Sequence, residues 1–219
     1  MRPEDLIIST ASMLEKYYGN LNWWPGGSRD EILIGAILTQ NTLWNNVEKS
    51  LSELRKRGML DIRVIAETSD QVLSDLIRSS GFYRIKAARL VSVCRSIAAA
   101  GGFESLQKMT TGDAEKFLLA LKGIGEETAE SILCYILDRE VFVVDKYTLR
   151  IFSRIGLGNI TQRNGIRSLV EMTIKGNGSL KNFHATLVQL GKEHCRSRPD
   201  CDGCPLGRIC ECFQSVTSP

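Results

Sequence analysis

Residues 121–129 read LKGIGEETA, and this short stretch decides the fold. It joins two segments with helical hydrophobic periodicity, Asp113–Leu121 and Glu126–Leu137. The turn glycines, Gly123 and Gly125, allow positive backbone dihedrals and remove side chains from the turn. Backbone N–H groups are then exposed at the start of the second helix, where the helix dipole favours an anion. The stretch therefore predicts either a plain helix–turn–helix connector or a contact with a DNA phosphate, which fixes position without reading sequence.

Helical periodicity also dominates the rest of the chain. Ser28 and Glu31 have the spacing of a capping box, and Gly58 stands where a helix would end. Only residues 141–144 have strand character, and they are too few to build a sheet. Apolar residues recur at helical spacing in residues 4–17, 28–38, 43–57, 69–77, 85–100, 163–175 and 180–193. The sequence predicts an all-α protein.

Composition narrows the class of protein only broadly. A chain of 219 residues is long enough for one or two domains with a buried core. A net charge of +3 is compatible with binding to nucleic acid but does not argue for it. No apolar run is long enough to cross a bilayer, and acidic residues follow Met1 where a signal peptide needs positive charge. We expect a soluble, monomeric protein of the cytoplasm, where the chromosomal DNA lies, with no membrane partner.

The seven cysteines are unevenly distributed. Cys94 and Cys134 stand singly in apolar helical pattern and are predicted to be inert core residues. Without a secretion signal, a cluster of cysteines favours metal ligation over disulfides. Four of the others have a spacing that suits either Zn²⁺ or a [4Fe–4S] cluster, with Cys212 as a spare. These four are Cys195, Cys201, Cys204 and Cys210.

Several segments, in chain order, resemble the endonuclease III (helix–hairpin–helix/Gly-Pro-Asp) superfamily of DNA glycosylases. Residues 37–42 (ILTQNT) look like its strand-wedge loop, and residues 121–129 resemble its helix–hairpin–helix. Residues 142–147 (FVVDKY) resemble the segment that carries its catalytic aspartate. The cysteine pattern is similar to the family's [4Fe–4S] motif, which has one more residue in the first gap. The resemblance spans nearly the whole chain.

The resemblance implies two α-helical domains with the active site between them. Residues 21–138 would form a six-helix domain that ends in the hairpin. Residues 1–20 and 139–219 would together form a domain with a C-terminal iron–sulfur loop. The cluster would staple a loop that presents arginines to phosphates, with zinc as the alternative occupant. The implied partner is double-stranded DNA containing a damaged base, and the implied activity is base excision repair.

Asp145 matches the family's catalytic aspartate, which stabilises positive charge on the deoxyribose as the base leaves and orients or deprotonates the attacking water. Without the family, Asp145 reads as the N-cap of the following helix. Lyase-competent members carry a Schiff-base lysine just after the hairpin glycines, and Glu127 stands there. A glutamate cannot form the imine, which predicts a monofunctional glycosylase. Lys122 and Lys146 are near enough in sequence to supply an amine by another geometry.

A flipped base needs a pocket. Trp24, Pro25 and Trp44 resemble the pocket of the 3-methyladenine glycosylase branch, in which rings stack on a cationic alkylated purine. Packing is the alternative interpretation of these tryptophans. Gln40 matches the wedge residue that fills the gap in the DNA, or is a surface glutamine. The hairpin residues expected to contact phosphate are Lys122, Gly123, Gly125 and Thr128.

Three functions remain open from sequence. The first is a monofunctional glycosylase for alkylated purines, chiefly 3-methyladenine. The second is an endonuclease III-like glycosylase/AP lyase for oxidised pyrimidines, or a uracil/thymine mismatch enzyme. The third is a non-catalytic DNA-binding or redox protein on the same fold. An adenine–mismatch glycosylase is disfavoured, because Gly35 stands where that branch has a catalytic glutamate.

Overall fold

A computed structural model describes residues 1–24, 27–158 and 162–213. The chain forms two compact units: unit 1 comprises Met1–Trp24 and Glu140–Pro219, and unit 2 comprises Pro25–Arg139. No helix in the described ranges is long and apolar enough to span a membrane.

The described residues fold into helices and connecting loops, without a β-strand, as the all-α prediction requires. In chain order the α-helices are α1 (Pro3–Tyr18), α2 (Arg29–Leu38), α3 (Trp44–Lys56), α4 (Ile62–Glu67), α5 (Asp70–Leu76), α6 (Tyr83–Ala99), α7 (Gly102–Lys108), α8 (Thr111–Ala120), α9 (Glu126–Ser131), α10 (Lys146–Phe152), α11 (Arg163–Thr173) and α12 (Asn177–Glu193). A 3₁₀ turn spans Arg78–Ser80, and π-helical turns span Ile132–Ile136 and Ser153–Leu157.

Unit 2 is built around α2, whose apolar side chains are buried on most of its circumference. Leu33, Ile34, Ile37 and Leu38 are fully buried, and α2 packs against α3, α6 and α9 with its π-helical extension. Each such side chain contributes roughly 1.5–3 kcal/mol by leaving water. The central position of α2 fixes the loop that follows it, which carries Gln40.

Unit 1 packs α1, α10, α11 and α12 around a shared apolar core. Phe142 and Phe183 stack with ring centroids 5.7 Å apart. Residues 141–145 are buried but form no strand. Asp145 ends this buried segment and directly precedes α10.

Several local predictions need correction. Two short helices, α4 and α7, were not predicted. The helix predicted over Glu126–Leu137 is α-helical only to Ser131, after which Leu137 N–H bonds to the Ile132 carbonyl in a π-helical turn. The helix α12 begins at Asn177, three residues before the predicted start.

The predicted capping box at Ser28 is only half formed. The Ser28 hydroxyl accepts the Glu31 backbone N–H at 3.1 Å. The Glu31 carboxylate instead pairs with Arg55 at 2.5 Å, because α3 brings a guanidinium against it.

Candidate functional site

The two glycines of the hairpin turn in unit 2 differ in how closely other atoms surround them. Gly123 has φ +97°, and a Cβ there would clash with the side chain of Arg89, which lies across it. Gly125 has φ −97°, so it does not use the positive dihedral predicted for it. A Cβ on Gly125 would meet no atom within 4 Å. Gly123 is therefore needed for the turn, whereas Gly125 leaves open space beside the first N–H groups of α9.

Gln40 is bound to this hairpin by its whole side-chain amide. Its Nε2 donates to the Gly123 carbonyl at 3.0 Å and to the Thr128 hydroxyl at 3.1 Å. Its Oε1 accepts a hydrogen bond from Arg89 Nη1 at 2.7 Å. Gln40 is thus partly buried, and its hydrogen bonds link the predicted wedge loop to the turn. It is not a surface glutamine. Thr128 is largely buried at the third position of α9.

A buried lysine fixes the start of the Gln40 loop, and sequence reasoning missed it. Lys86 is 2% exposed, and its ammonium donates to the carbonyls of Leu38 and Ser80 at 2.8 and 2.6 Å. Burial, followed by the charge of Arg89, lowers the pKa of Lys86 to about 8. Lys86 and Arg89 lie one turn apart on α6, but nothing in the local pattern indicates their distant partners.

Asp145 is the N-cap of α10, so that interpretation is confirmed. Its Oδ1 accepts the Thr148 backbone N–H at 2.7 Å, and the residue is only 6% exposed. Its Oδ2 faces Nε2 of the buried His184 at 3.8 Å. No local sequence pattern indicates His184, which lies on α12 and reaches Asp145 through the packing of α10 on α12.

The segment before Asp145 is held by side chains of α11. Glu171 accepts the Phe142 backbone N–H at 2.9 Å and pairs with Arg167 at 2.8 Å. Arg163 donates to the carbonyl of Val144. These contacts replace the ladder bonds that an isolated extended segment lacks, and they fix the backbone next to Asp145.

The residues relevant to lyase chemistry lie in different parts of the fold. Glu127 is exposed at the second position of α9 in unit 2, and Lys122 is exposed in the turn before it. Lys146 is exposed at the first position of α10 in unit 1, with its ammonium 5.4 Å from the Tyr147 ring centroid. No lysine occupies the first turn of α9.

The predicted pocket residues are distributed over both units. Trp24 is partly exposed in unit 1, and Trp44 is the partly exposed first residue of α3 in unit 2. Pro25 lies outside the described residues. The neighbouring Trp23 is covered by Lys192, whose ammonium is 4.7 Å from the ring centroid. Trp23 is therefore in contact with α12 within unit 1.

An exposed aromatic residue was missed in unit 2. Phe82 is 68% exposed and has φ +47° just before α6. A bulky residue in the left-handed region is strained, and such strain tends to occur at functional sites. An apolar residue next to Gly81 is the sequence signal that could have identified it.

The cysteines divide as predicted between core and C-terminal loop. Cys94 and Cys134 are fully buried, and burial raises the pKa of Cys94 to about 12. The remaining five lie in unit 1, none in a disulfide. Within the described part of the chain, no three His, Cys, Asp or Glu side chains are arranged as a metal-binding group.

The surroundings of the loop thiols nevertheless suit a metal cluster. Arg154 Nη1 donates to Cys195 Sγ at 3.2 Å, and backbone N–H groups donate to Cys204 and Cys210. Burial raises the pKa of Cys204 and Cys210, and the neighbouring thiols raise it further. Metal binding would deprotonate these thiols, and N–H donors stabilise sulfur ligands. The loop thiols and the N–H groups around them therefore fit a metal cluster.

A family model supplies the first comparison. The model described as "HhH-GPD superfamily base excision DNA repair protein" matches residues 34–171. The match includes the Gln40 loop, the hairpin and Asp145.

Individual proteins extend the comparison over nearly the whole chain. A Methanocaldococcus jannaschii protein provisionally named as a DNA repair glycosylase, MJ1434, is 39% identical over 213 residues, covering 94% of this chain and 96% of that protein. Endonuclease III of Thermotoga maritima is 28% identical over 190 residues, covering 84% and 83%. The structure of the H. pylori 3-methyladenine DNA glycosylase (MagIII) bound to 1,N6-ethenoadenine matches with a TM-score of 0.75 and 30% identity, covering 88% of this chain and 98% of that one.

Proposed function

Because the chain belongs to the HhH-GPD superfamily of base excision DNA repair proteins and is a DNA glycosylase, we propose that it is monofunctional and removes alkylated purines, chiefly 3-methyladenine, from double-stranded DNA. The observation that carries the substrate assignment is the 30% identity to the H. pylori 3-methyladenine glycosylase over 88% of the chain. The assignment as a monofunctional enzyme rests on Glu127. Its exposed carboxylate occupies the position of the lysine that attacks the sugar in lyase-competent members.

Asp145 is the proposed catalytic residue. One carboxylate oxygen is committed to the N-cap of α10, which fixes the direction of the side chain. The other oxygen remains to stabilise the positive charge that develops on the deoxyribose, and to orient the attacking water. Because Asp145 is buried, the charge of its carboxylate is weakly screened and acts strongly at short range. Water attack then leaves an abasic site without strand cleavage.

The base pocket is proposed to use Trp24, Pro25 and Trp44. An alkylated purine such as 3-methyladenine is cationic and electron-poor, so an indole face gains both stacking and cation–π energy. Trp24 and Trp44 are each partly exposed, which leaves ring surface for a ligand. Neutral undamaged bases gain only the stacking part.

DNA binding is proposed to use the hairpin and the Gln40 loop. Lys122, Gly123, Gly125 and Thr128 contact one phosphate, with the backbone N–H groups of the α9 N-terminus as the main donors. Gln40 is the proposed wedge, and entry into the DNA stack would exchange its three hydrogen bonds within unit 2 for contacts with bases. We also propose that the protein acts as a monomer.

We propose that Cys195, Cys201, Cys204 and Cys210 hold a [4Fe–4S] cluster. The N–H donors around the thiols and the packing of three of them against the core of unit 1 support this assignment. When bound, the cluster would staple the loop and would take no part in hydrolysis, which transfers no electrons. Arg196, Arg198 and Arg208 on the same loop are then available to phosphates.

The second candidate is an endonuclease III-like glycosylase/AP lyase for oxidised pyrimidines. It is favoured by the 28% identity to Thermotoga maritima endonuclease III. Lys122 or Lys146 would have to supply the amine.

The substrate proposal is tested by base release from duplexes that contain 3-methyladenine, uracil, thymine glycol or mismatched thymine. Release of 3-methyladenine, with little from the three pyrimidine lesions, is expected. Preferential release of thymine glycol would favour the endonuclease III-like candidate, and uracil or thymine release would favour a mismatch enzyme. Tight binding to every duplex without any release would indicate a non-catalytic protein.

A further inference from the structure

A buried histidine stands behind the carboxylate to which we assign catalysis. His184 is 4% exposed and lies in the middle of α12, and its Nε2 is 3.8 Å from Asp145 Oδ2. Phe142 packs edge-on against the imidazole, with ring centroids 6.3 Å apart. The imidazole thus lies against Phe142 and is directed at one oxygen of Asp145.

The two oxygens of Asp145 have different surroundings. Oδ1 accepts the Thr148 N–H at 2.7 Å, a charge-assisted bond that also caps α10. Oδ2 lies on the side of His184. One hydrogen bond at Oδ1 restrains rotation of the carboxylate about χ2 only partly, because terminal sp³–sp² torsions have broad minima, so a group that acts on Oδ2 adds to the restraint.

The protonation state of His184 follows from its burial. Desolvation lowers the pKa of His184, and the charge of Asp145 raises it by a smaller amount. The imidazole is therefore neutral at neutral pH and carries a single N–H. With that hydrogen on Nε2, the imidazole presents the positive end of its N–H dipole to Asp145 Oδ2.

We infer that His184 is a positioning residue for Asp145, with its Nε2–H directed at Oδ2 so that the carboxylate is held in one orientation. This inference rests on the catalytic role proposed for Asp145. His184 transfers no proton in this account, and it touches neither the base nor the sugar. It acts as a fixed dipole, which requires no reorganisation when the charge on the deoxyribose develops.

Position-matched substitutions test the inference. The amide N–H of His184→Gln reaches the place of Nε2, whereas that of His184→Asn reaches only the place of Nδ1, and His184→Phe retains the ring without a donor. We expect His184→Gln to keep most of the single-turnover excision rate on alkylated DNA. We expect His184→Asn and His184→Phe to lose about tenfold or more, the scale of one misplaced orienting bond, with affinity for the same DNA unchanged. Equal rates for Gln and Phe would overturn the inference.

A second measurement does not depend on His184 variants folding. The chain has two histidines, so ¹⁵N-labelled imidazole signals come from His184 and from His194 alone. We expect a protonated Nε2 on His184, and a shift of this signal in Asp145→Asn while that of His194 stays in place. A His184 signal with Nδ1 protonated, or one unmoved by Asp145→Asn, would also overturn the inference.

The excision assay separates this inference from the proposed function. If Asp145→Asn retains the wild-type rate, the assignment of Asp145 fails and the inference fails with it. If Asp145→Asn abolishes release and His184→Phe does not slow it, only the role of His184 is wrong.

Discussion

The side-chain amide of Gln40 is bound to the backbone of Gly123, with Nε2 3.0 Å from the carbonyl oxygen. Two segments separated by 83 residues are joined by this bond, and the Thr128 and Arg89 contacts of the same amide strengthen the link. The proposed wedge and the proposed phosphate-binding turn are therefore one hydrogen-bonded assembly in unit 2.

Replacement of Gln40 by Leu should lower the free energy of unfolding by roughly 1–3 kcal/mol, because three partly buried groups lose their partner. Urea unfolding measures the change. Asn45→Ala, at an exposed position of α3, is the control and should change stability by less than about 0.5 kcal/mol. Equal stability of Gln40→Leu and the control would mean that the hydrogen bonds of Gln40 do not contribute to the free energy of unfolding.

Substitution of the two hairpin glycines should affect different properties, stability at Gly123 and DNA affinity at Gly125. Gly123→Ala places a methyl group against Arg89 at φ +97° and should destabilise the fold by about 1–3 kcal/mol. Gly125→Ala meets no atom within 4 Å, so stability should hold while affinity for every DNA falls alike. Paired unfolding and DNA-binding titrations distinguish them. A loss of affinity confined to one lesion in Gly125→Ala would contradict the phosphate role.

The protein should become less stable in mild acid because of His184. Its pKa in the folded state lies below the ordinary 6.5, so the unfolded chain binds the proton more tightly. The contribution to stability is complete above about pH 6.5 and is lost as pH falls through the lowered folded pKa, by up to about 1.4 kcal/mol per pH unit. Urea unfolding across this range should show the slope in wild type and in His194→Gln, and a flatter curve in His184→Gln. Identical slopes in all three would exclude His184 as the cause.

Trp44 and Trp23 form a matched pair for the base pocket. Trp44→Ala should slow excision of 3-methyladenine by the equivalent of roughly 1–3 kcal/mol, the scale of stacking on one base. Trp23 is covered by Lys192, so Trp23→Ala should lower the melting temperature and leave the excision rate per folded molecule unchanged. Unchanged excision by Trp44→Ala would return Trp44 to a packing role.

Metal analysis tests the cysteine assignment. Cys204→Ser should lose bound iron, whereas Cys212→Ser should keep it, because Cys212 is the spare thiol. Four irons per chain are expected in wild type for a [4Fe–4S] cluster. One zinc per chain, without iron, would establish the alternative occupant.

The longer α-helices could be predicted because their apolar residues recur over about three or more turns. The helices α4 and α7 have six and seven residues, so periodicity alone is a weak signal for them. The equally short α9 and α10 were indicated by other features, the hairpin glycines and the N-cap at Asp145. Gly101 and Gly102, which follow the helix predicted over residues 85–100, both have positive φ, and α7 begins at Gly102.

The candidate site could be predicted from sequence only where the interacting residues are close together in the chain. The N-cap at Asp145 depends on its neighbour Thr148, and the sequence indicates it. His184 and Arg89 act across 39 and 49 positions of sequence, on Asp145 and Gln40 respectively, and helix packing brings them there. Such partners follow from tertiary structure and leave no trace in a local pattern.

The most direct test of the central claim is borohydride trapping on 3-methyladenine DNA, with wild type and Asp145→Asn side by side. We predict that wild type releases the base and that the strand breaks only after alkali. No protein–DNA adduct should form, and Asp145→Asn should bind the DNA without releasing the base. A borohydride-trapped adduct with wild type would contradict the account, because it requires a lysine that forms the Schiff base.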